Sequence, residues 1–234
     1  MYGKPEKGAM GMWVGMRRVP KFMLQLVVAL ISACLMYFKL GISILYIPLI
    51  GITLNLGLFY IPFAVFVIVA FSNAFNITDG LDGLAGGLLV TAYGTFGLIA
   101  ILQGNFGIAG FCLTIVGALL SYLWFNIFPA RFFMGDVGSF AFGTTLAVIA
   151  IMLNATLLLP IIGIVFVVEV CSVIMQLLSK RILHRKIFRS APVHHHFEAL
   201  GWPETKVTMR FWVLGQVAGV LGLLIAVLGG FLKL

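Results

Sequence analysis

LAGGLLVTAYGTFGLIAIL, residues Leu84 to Leu102, is the stretch on which the fold turns. It carries no charge, and its length is close to the roughly 20 apolar residues a helix needs to cross a bilayer. Its polar positions do not alternate, so it does not read as a barrel strand, which would show period two over about ten residues. The same kind of run recurs on both sides, at Phe22–Phe38, Leu58–Phe75, Phe106–Phe125, Val137–Leu153, Leu157–Ser179 and Val207–Phe231. The expectation is an all-α integral membrane protein of about seven transmembrane helices. Residues 41–57, interrupted by Gly41, Pro48, Gly51, Asn55 and Gly57, read as a β-rich or re-entrant connection. No polar linker divides the chain and no repeat of solenoid length is visible, so residues 1–234 form one membrane domain.

Composition agrees. Hydrophobic residues make up 62% of the chain and charged residues 9%, with a mean hydropathy of +1.16. Soluble domains average about 45–50% apolar and about 25% charged. That excludes a soluble enzyme, a disordered tail and a collagen-like fibre. The net charge of +8 would suit nucleic acid, but the basic residues flank apolar runs and form no aromatic-interleaved patch. Their distribution instead sets orientation. Lys4, Lys7, Arg17, Arg18 and Lys21 precede the first span, and seven crossings put Arg131 and the basic residues between Lys180 and Arg210 on the same side. Thirteen of the fifteen Lys and Arg residues then face one compartment, the cytoplasm, with Lys39 and Lys233 opposite. The opening MYGKPEKGAMGMWVGMRRVPK has no apolar core and does not read as a cleavable signal peptide. Cys34, Cys112 and Cys171 lie apart inside apolar runs and read as small buried hydrophobes.

Three polar clusters fall on the cytoplasmic side of this map. The first is NAFNITDGLDGLAGG, from Asn73. Asp79 and Asp82 are three apart and can share one side of a helix start, while Gly80 and Gly83 allow a turn and a close ligand approach. Helix capping by Thr78 or Asp79 is the plainer alternative. The second is NIFPARFFMGDVGS, from Asn126. Asp136 suits Mg²⁺, which takes one or two carboxylates together with substrate phosphates. Phe132 and Phe133 beside Arg131 could stack on a flat base; anchoring at the membrane interface is the alternative. The third is APVHHHFEALGWPE, from Ala191. His194, His195 and His196 match no zinc-site spacing and suit hydrogen bonding to phosphate oxygens, with a solvated loop as the alternative. Glu169 stands alone within its apolar run, either as a structural carboxyl or as a polar point along a lipid groove. Gly215, Gly219 and Gly222 read as helix packing. Carboxylates for a divalent cation, donors for phosphate and aromatics for a base point to phosphoryl transfer from a nucleotide conjugate to a lipid phosphate.

These three strings resemble the phospho-N-acetylmuramoyl-pentapeptide translocases, within the polyprenyl-phosphate hexose-1-phosphate transferase superfamily. The first two are similar to the superfamily at large, and the triple histidine followed by FE and GWPE to the muramoyl-pentapeptide branch. The resemblance implies a multi-pass enzyme of the bacterial inner membrane serving peptidoglycan biosynthesis. It would transfer phospho-MurNAc-pentapeptide from UDP-MurNAc-pentapeptide to undecaprenyl phosphate, giving lipid I and UMP. It also implies Mg²⁺ at Asp136, an acidic motif at Asn76, Asp79 and Asp82, and a uridine pocket shaped by Gly80, Leu81, Asp82, Asn126 and Phe133. Asp79, Asp82, Asp136 and His194, His195 and His196 would be its catalytic group. A homodimer and a lipid groove near the helix that holds Glu169 are implied as well. A related transferase that moves GlcNAc phosphate onto the same lipid is the neighbouring alternative. The family has ten spans and an adjacent aspartate pair ending its third, whereas no aspartate here precedes Asp79 and no Asp-Asp pair occurs. The expectation is therefore a chain matching the family's last seven spans, impaired on its own.

Overall fold

Glycine and alanine along one helix let its neighbours approach closely, and in this chain that helix becomes the centre. The computed structural model describes residues 18–230. Helix α3 (Leu84–Leu102) is 72% buried over its apolar window, whereas α1 (Arg18–Phe38) is 17% buried. A bilayer gives apolar side chains no reason to hide, so small residues and close packing sort centre from rim. Gly86 of α3 faces Tyr122 and Leu123 of α4 (Phe106–Asn126), and Gly87 faces the Trp212 ring of α9 (Glu204–Leu228). Gly143 of α5 (Gly135–Met152) lies against the backbone of Phe71 and Ser72 in α2 (Tyr60–Thr78), where a Cβ would come within 2.8 Å of Ser72 Cα. Gly215, Gly219 and Gly222 pack on Leu88, on Thr91 and Thr95, and on Ile162, as the sequence suggests. Of the three cysteines only Cys112 is buried; Cys34 is half-buried and Cys171 is exposed on the outer face of its helix.

The protein is a multi-pass helical membrane protein. Among the described residues six helices are long and apolar enough to cross a membrane, or seven with one bent pair taken as a single span. That pair is the sixth predicted run. It breaks at Gly163 between α6 (Leu159–Ile162) and α7 (Ile164–Ile182), where the path turns by 80°. Gly163 leaves helical geometry at φ −95° and ψ 30°, and a Cβ there would crowd Leu159 O and the Phe71 ring. Residues 41–57 contain an antiparallel hairpin, β1 (Ile44–Ile47) with β2 (Ile52–Asn55), Ile44 opposite Asn55. The Tyr46 hydroxyl donates to Gly229 O and ties the hairpin to the far end of α9. A short helix, α8 (Val193–Ala199), carries the three histidines at the other end. Lys4, Lys7, Arg17, Lys233 and most of the opening stretch lie outside the described residues.

Candidate active site

The residues singled out from sequence gather at one end of the helix bundle. Helix α2 closes at Thr78, whose hydroxyl donates to Ala74 O within the same helix. The chain turns through Asp79–Gly83 and enters α3 from Gly83, held at φ +73°, a left-handed conformation that favours glycine. Neither Thr78 nor Asp79 caps α3, since that N-terminus has no side-chain cap.

Asp79, at the end of α2, lies near enough to Asp136, in the first turn of α5, for their charges to interact. Burial pushes the Asp79 carboxyl up to about 6, and the negative charge of Asp136 adds to that rise. Asn76, one turn before Asp79, donates to Asp136 Oδ1 at 2.9 Å and to Ser139 Oγ at 2.8 Å. Asp136 lies in the first turn of α5, where the helix dipole favours an anion. Its other oxygen accepts from Lys21 of α1. Two carboxylates close enough to repel, one steered by an amide, suit a divalent cation that completes its shell with substrate phosphates. Mg²⁺ fits that donor set. Among the described residues no group of three or more His, Cys, Asp or Glu side chains forms an all-protein metal cage.

The turn itself is gripped from two sides. On one side stand Glu204, Thr208 and Trp212, successive turns of α9. Glu204 Oε1 accepts from Asp82 N at 2.6 Å, Thr208 Oγ1 donates to Asp82 O at 3.3 Å, and Trp212 Nε1 donates to Gly83 O at 3.1 Å. Asp82 turns its carboxylate to the loop after α4, where Oδ2 accepts from Ala130 N at 2.9 Å. Asn126 is buried and bridges both loops, accepting from Gly83 N at 3.1 Å and donating to Phe132 O at 3.0 Å. The Phe132 ring packs on Tyr122 and Phe125, centroids 5.3 and 5.9 Å away, while Phe133 stands 69% exposed beside them. Gly80 is exposed and Leu81 buried.

The histidines divide. His194 is fully buried, Nδ1 3.0 Å from Glu169 Oε2 of α7. The ring lies on Gly80 so closely that a Cβ there would meet Nε2 at 2.5 Å. His195 Nδ1 is 2.5 Å from Glu198 Oε2 on the same short helix. His196 Nδ1 accepts from Arg189 N at 3.1 Å. Sequence reading assigns the trio one phosphate-binding role; the fold gives each a different partner. Sequence reading also leaves Glu169 open, and the partner is His194.

Two residues here carry no sequence signal of their own. Lys21 reads as one of several basic residues before the first span, and only the fold brings it to Asp136. Gln176 sits inside an apolar run yet is buried and holds the 183–192 loop, accepting from Ile187 N and Phe188 N and donating to Phe188 O. Membrane-facing grooves lead to this end as well. One, of about 380 Å³, runs between α1 and α5 past Leu24, Val28 and Ala141 and ends at Lys21 and Asp136. A larger one, about 820 Å³, follows α1, α2 and the Val170–Cys171–Ile174 face of α7.

Comparison with known proteins adds to this geometry. Residues 9–154 match the pattern described as glycosyl transferase family 4. The chain is 46% identical over 215 residues to the phospho-N-acetylmuramoyl-pentapeptide-transferase of Lactobacillus helveticus (strain DPC 4571), covering 91% of this chain and 66% of that protein. It is 42% identical over 219 residues to that of Staphylococcus carnosus (strain TM300), covering 91% and 67%. Against that of Chloroflexus aurantiacus (strain ATCC 29366 / DSM 635 / J-10-fl) it is 44% identical over 223 residues, covering 90% and 60%. The chain thus spans 60 to 67% of the length of these curated relatives.

Proposed function

This chain belongs to glycosyl transferase family 4, and we propose that it carries the phospho-MurNAc-pentapeptide transferase site, moving that group from UDP-MurNAc-pentapeptide to undecaprenyl phosphate with release of UMP. The observation that carries the reading is the meeting of Asp79, Asp136 and Lys21 where an apolar groove ends. A water-soluble diphosphate needs charge neutralisation, a lipid phosphate needs an apolar slot beside it, and this end of the bundle offers both. The names of the relatives and the HHHFE and GWPE strings support the muramoyl substrate over UDP-GlcNAc.

An oxygen of the acceptor phosphate attacks the sugar-bearing phosphorus; the diphosphate P–O bond breaks, and UMP leaves with the electron pair. Asp136, steered by Asn76, would hold the Mg²⁺ expected here, with Asp79 nearby. When bound, that ion screens the phosphate oxygens as charge develops on the leaving group. Lys21 offers a cation to the same oxygens. Asp79, half-buried at the end of α2 and near Asp136, is placed to take the proton of the acceptor phosphate. Asp82 and Asn126 fix the loop from which Phe133 meets the uracil ring. His195 and His196 present imidazole edges to phosphate or sugar. The site faces the cytoplasm of the bacterial inner membrane, and the protein works as a homodimer.

The test uses membranes carrying this chain, supplied with UDP-MurNAc-pentapeptide, undecaprenyl phosphate and Mg²⁺, with UMP as the readout. Asp136→Ala is expected to abolish UMP release. Retained turnover in that variant, or equal turnover of UDP-GlcNAc, overturns the assignment.

A further inference from the structure

Glu169 and His194 are both fully buried, on different helices, in a protein with only seven acidic side chains and four histidines. Burying ionisable groups in a membrane protein is expensive and is kept where it serves a purpose. Nothing in the reaction derived above calls on Glu169. Neither oxygen of Glu169 and neither ring nitrogen of His194 has a well-directed hydrogen bond among the described residues, so their 3.0 Å contact is the main polar partner each has. Nδ1 faces Glu169, and the opposite edge of the ring, Nε2, faces the bare Cα of Gly80. The imidazole thus reaches from the second turn of α7 to the turn that carries Asp79. The opposite face of α7, at Val170, Cys171 and Ile174, lines the larger apolar groove, so Glu169 is turned away from lipid.

We propose that Glu169 is a positioning residue that acts through the buried His194 to hold the Asp79–Gly80 turn in place at the reaction centre. The pair forms one jaw of a clamp whose other jaw is the Glu204–Thr208–Trp212 face of α9. With Gly80 held by one jaw and Asp82 and Gly83 by the other, the turn that follows Asp79 is fixed, and the Asp79 carboxyl keeps its distance from Asp136. Misplacing a catalytic group by an ångström is enough to slow a reaction about a hundredfold, so such a brace is felt in turnover before it is felt in binding. The inference rests on the reading of this site as a phosphoryl-transfer centre.

The experiment compares Glu169→Met, which keeps the length and removes the polar end, with Glu169→Gln, which keeps an oxygen for Nδ1. In Glu169→Met, kcat is expected to fall about tenfold or more while KM for UDP-MurNAc-pentapeptide stays within about twofold, and Glu169→Gln recovers most of the loss. Wild-type kcat in Glu169→Met, a raised KM at constant kcat, or equal loss in both variants overturns the proposal. Hydrogen exchange of the backbone, read without substrate, separates this result from any failure of the functional reading. Glu169→Met and His194→Leu are each expected to speed exchange at residues 79–83, the double variant no more than either single one, with α3 and α4 unchanged. Unaltered exchange at that turn, or additive effects in the double variant, overturns the brace even if the chain turns over no nucleotide sugar.

Discussion

Asp79 shows how one side chain inherits its chemistry from two helices. Its raised proton affinity comes first from burial and then from the Asp136 charge. The folded state therefore binds this proton more tightly than the unfolded chain does. The stability it contributes is full below the ordinary value of 3.8 and is lost as pH rises through about 6. Asp79→Asn is expected to raise thermal stability at pH 8 by about 1–3 kcal/mol, with the gain shrinking as pH falls through 6 and vanishing near 4. Thermal melts of both proteins across that range check it, and a pH-independent difference contradicts it. Under the proposed mechanism the same variant is also expected to lose UMP release. Sequence alone marks Asp79 and Asp136 as candidates for the chemistry. It does not reveal that they repel, because their separation of 57 positions is closed only by the packing of α2 on α5.

At the scale of the helix, glycines that look alike in sequence have different jobs. Gly143 meets the backbone of α2, and Gly94 has nothing within 4 Å of where a Cβ would sit. Gly143→Ala forces two helices apart and is expected to destabilise by about 1–3 kcal/mol. Gly94→Ala has room, and gains up to about 1 kcal/mol from helix propensity. Denaturation in detergent ranks the two, and equal effects would disprove the packing account. The bend at Gly163 belongs to this scale also. The run Leu157–Ser179 is apolar nearly throughout and reads as one span; in the fold it breaks at Gly163 with an 80° turn, and the Phe71 ring lies within 3.0 Å of where a Cβ on that glycine would sit.

For the whole molecule, the candidate site and the hairpin occupy opposite ends of the bundle. Lys21, Arg131 and the Lys180–Arg210 stretch lie at the site end, and Lys39 lies near the hairpin. Single cysteines in a cysteine-free background test the resulting orientation. Arg131→Cys and Lys186→Cys are expected to react with an impermeant thiol reagent only in inside-out vesicles, and Ile50→Cys only in intact cells. The reverse pattern would place the site outside. Membrane class, span positions and the three polar clusters were legible in sequence because bilayer thickness imposes a length on apolar runs and because charge is scarce. Local composition carries that information. It does not carry partners: that Glu169 meets His194, that Lys21 meets Asp136, or that Glu204 holds the Asp82 amide. Those contacts join positions 25, 115 and 122 residues apart, and they exist only once small residues let particular helix faces close on one another.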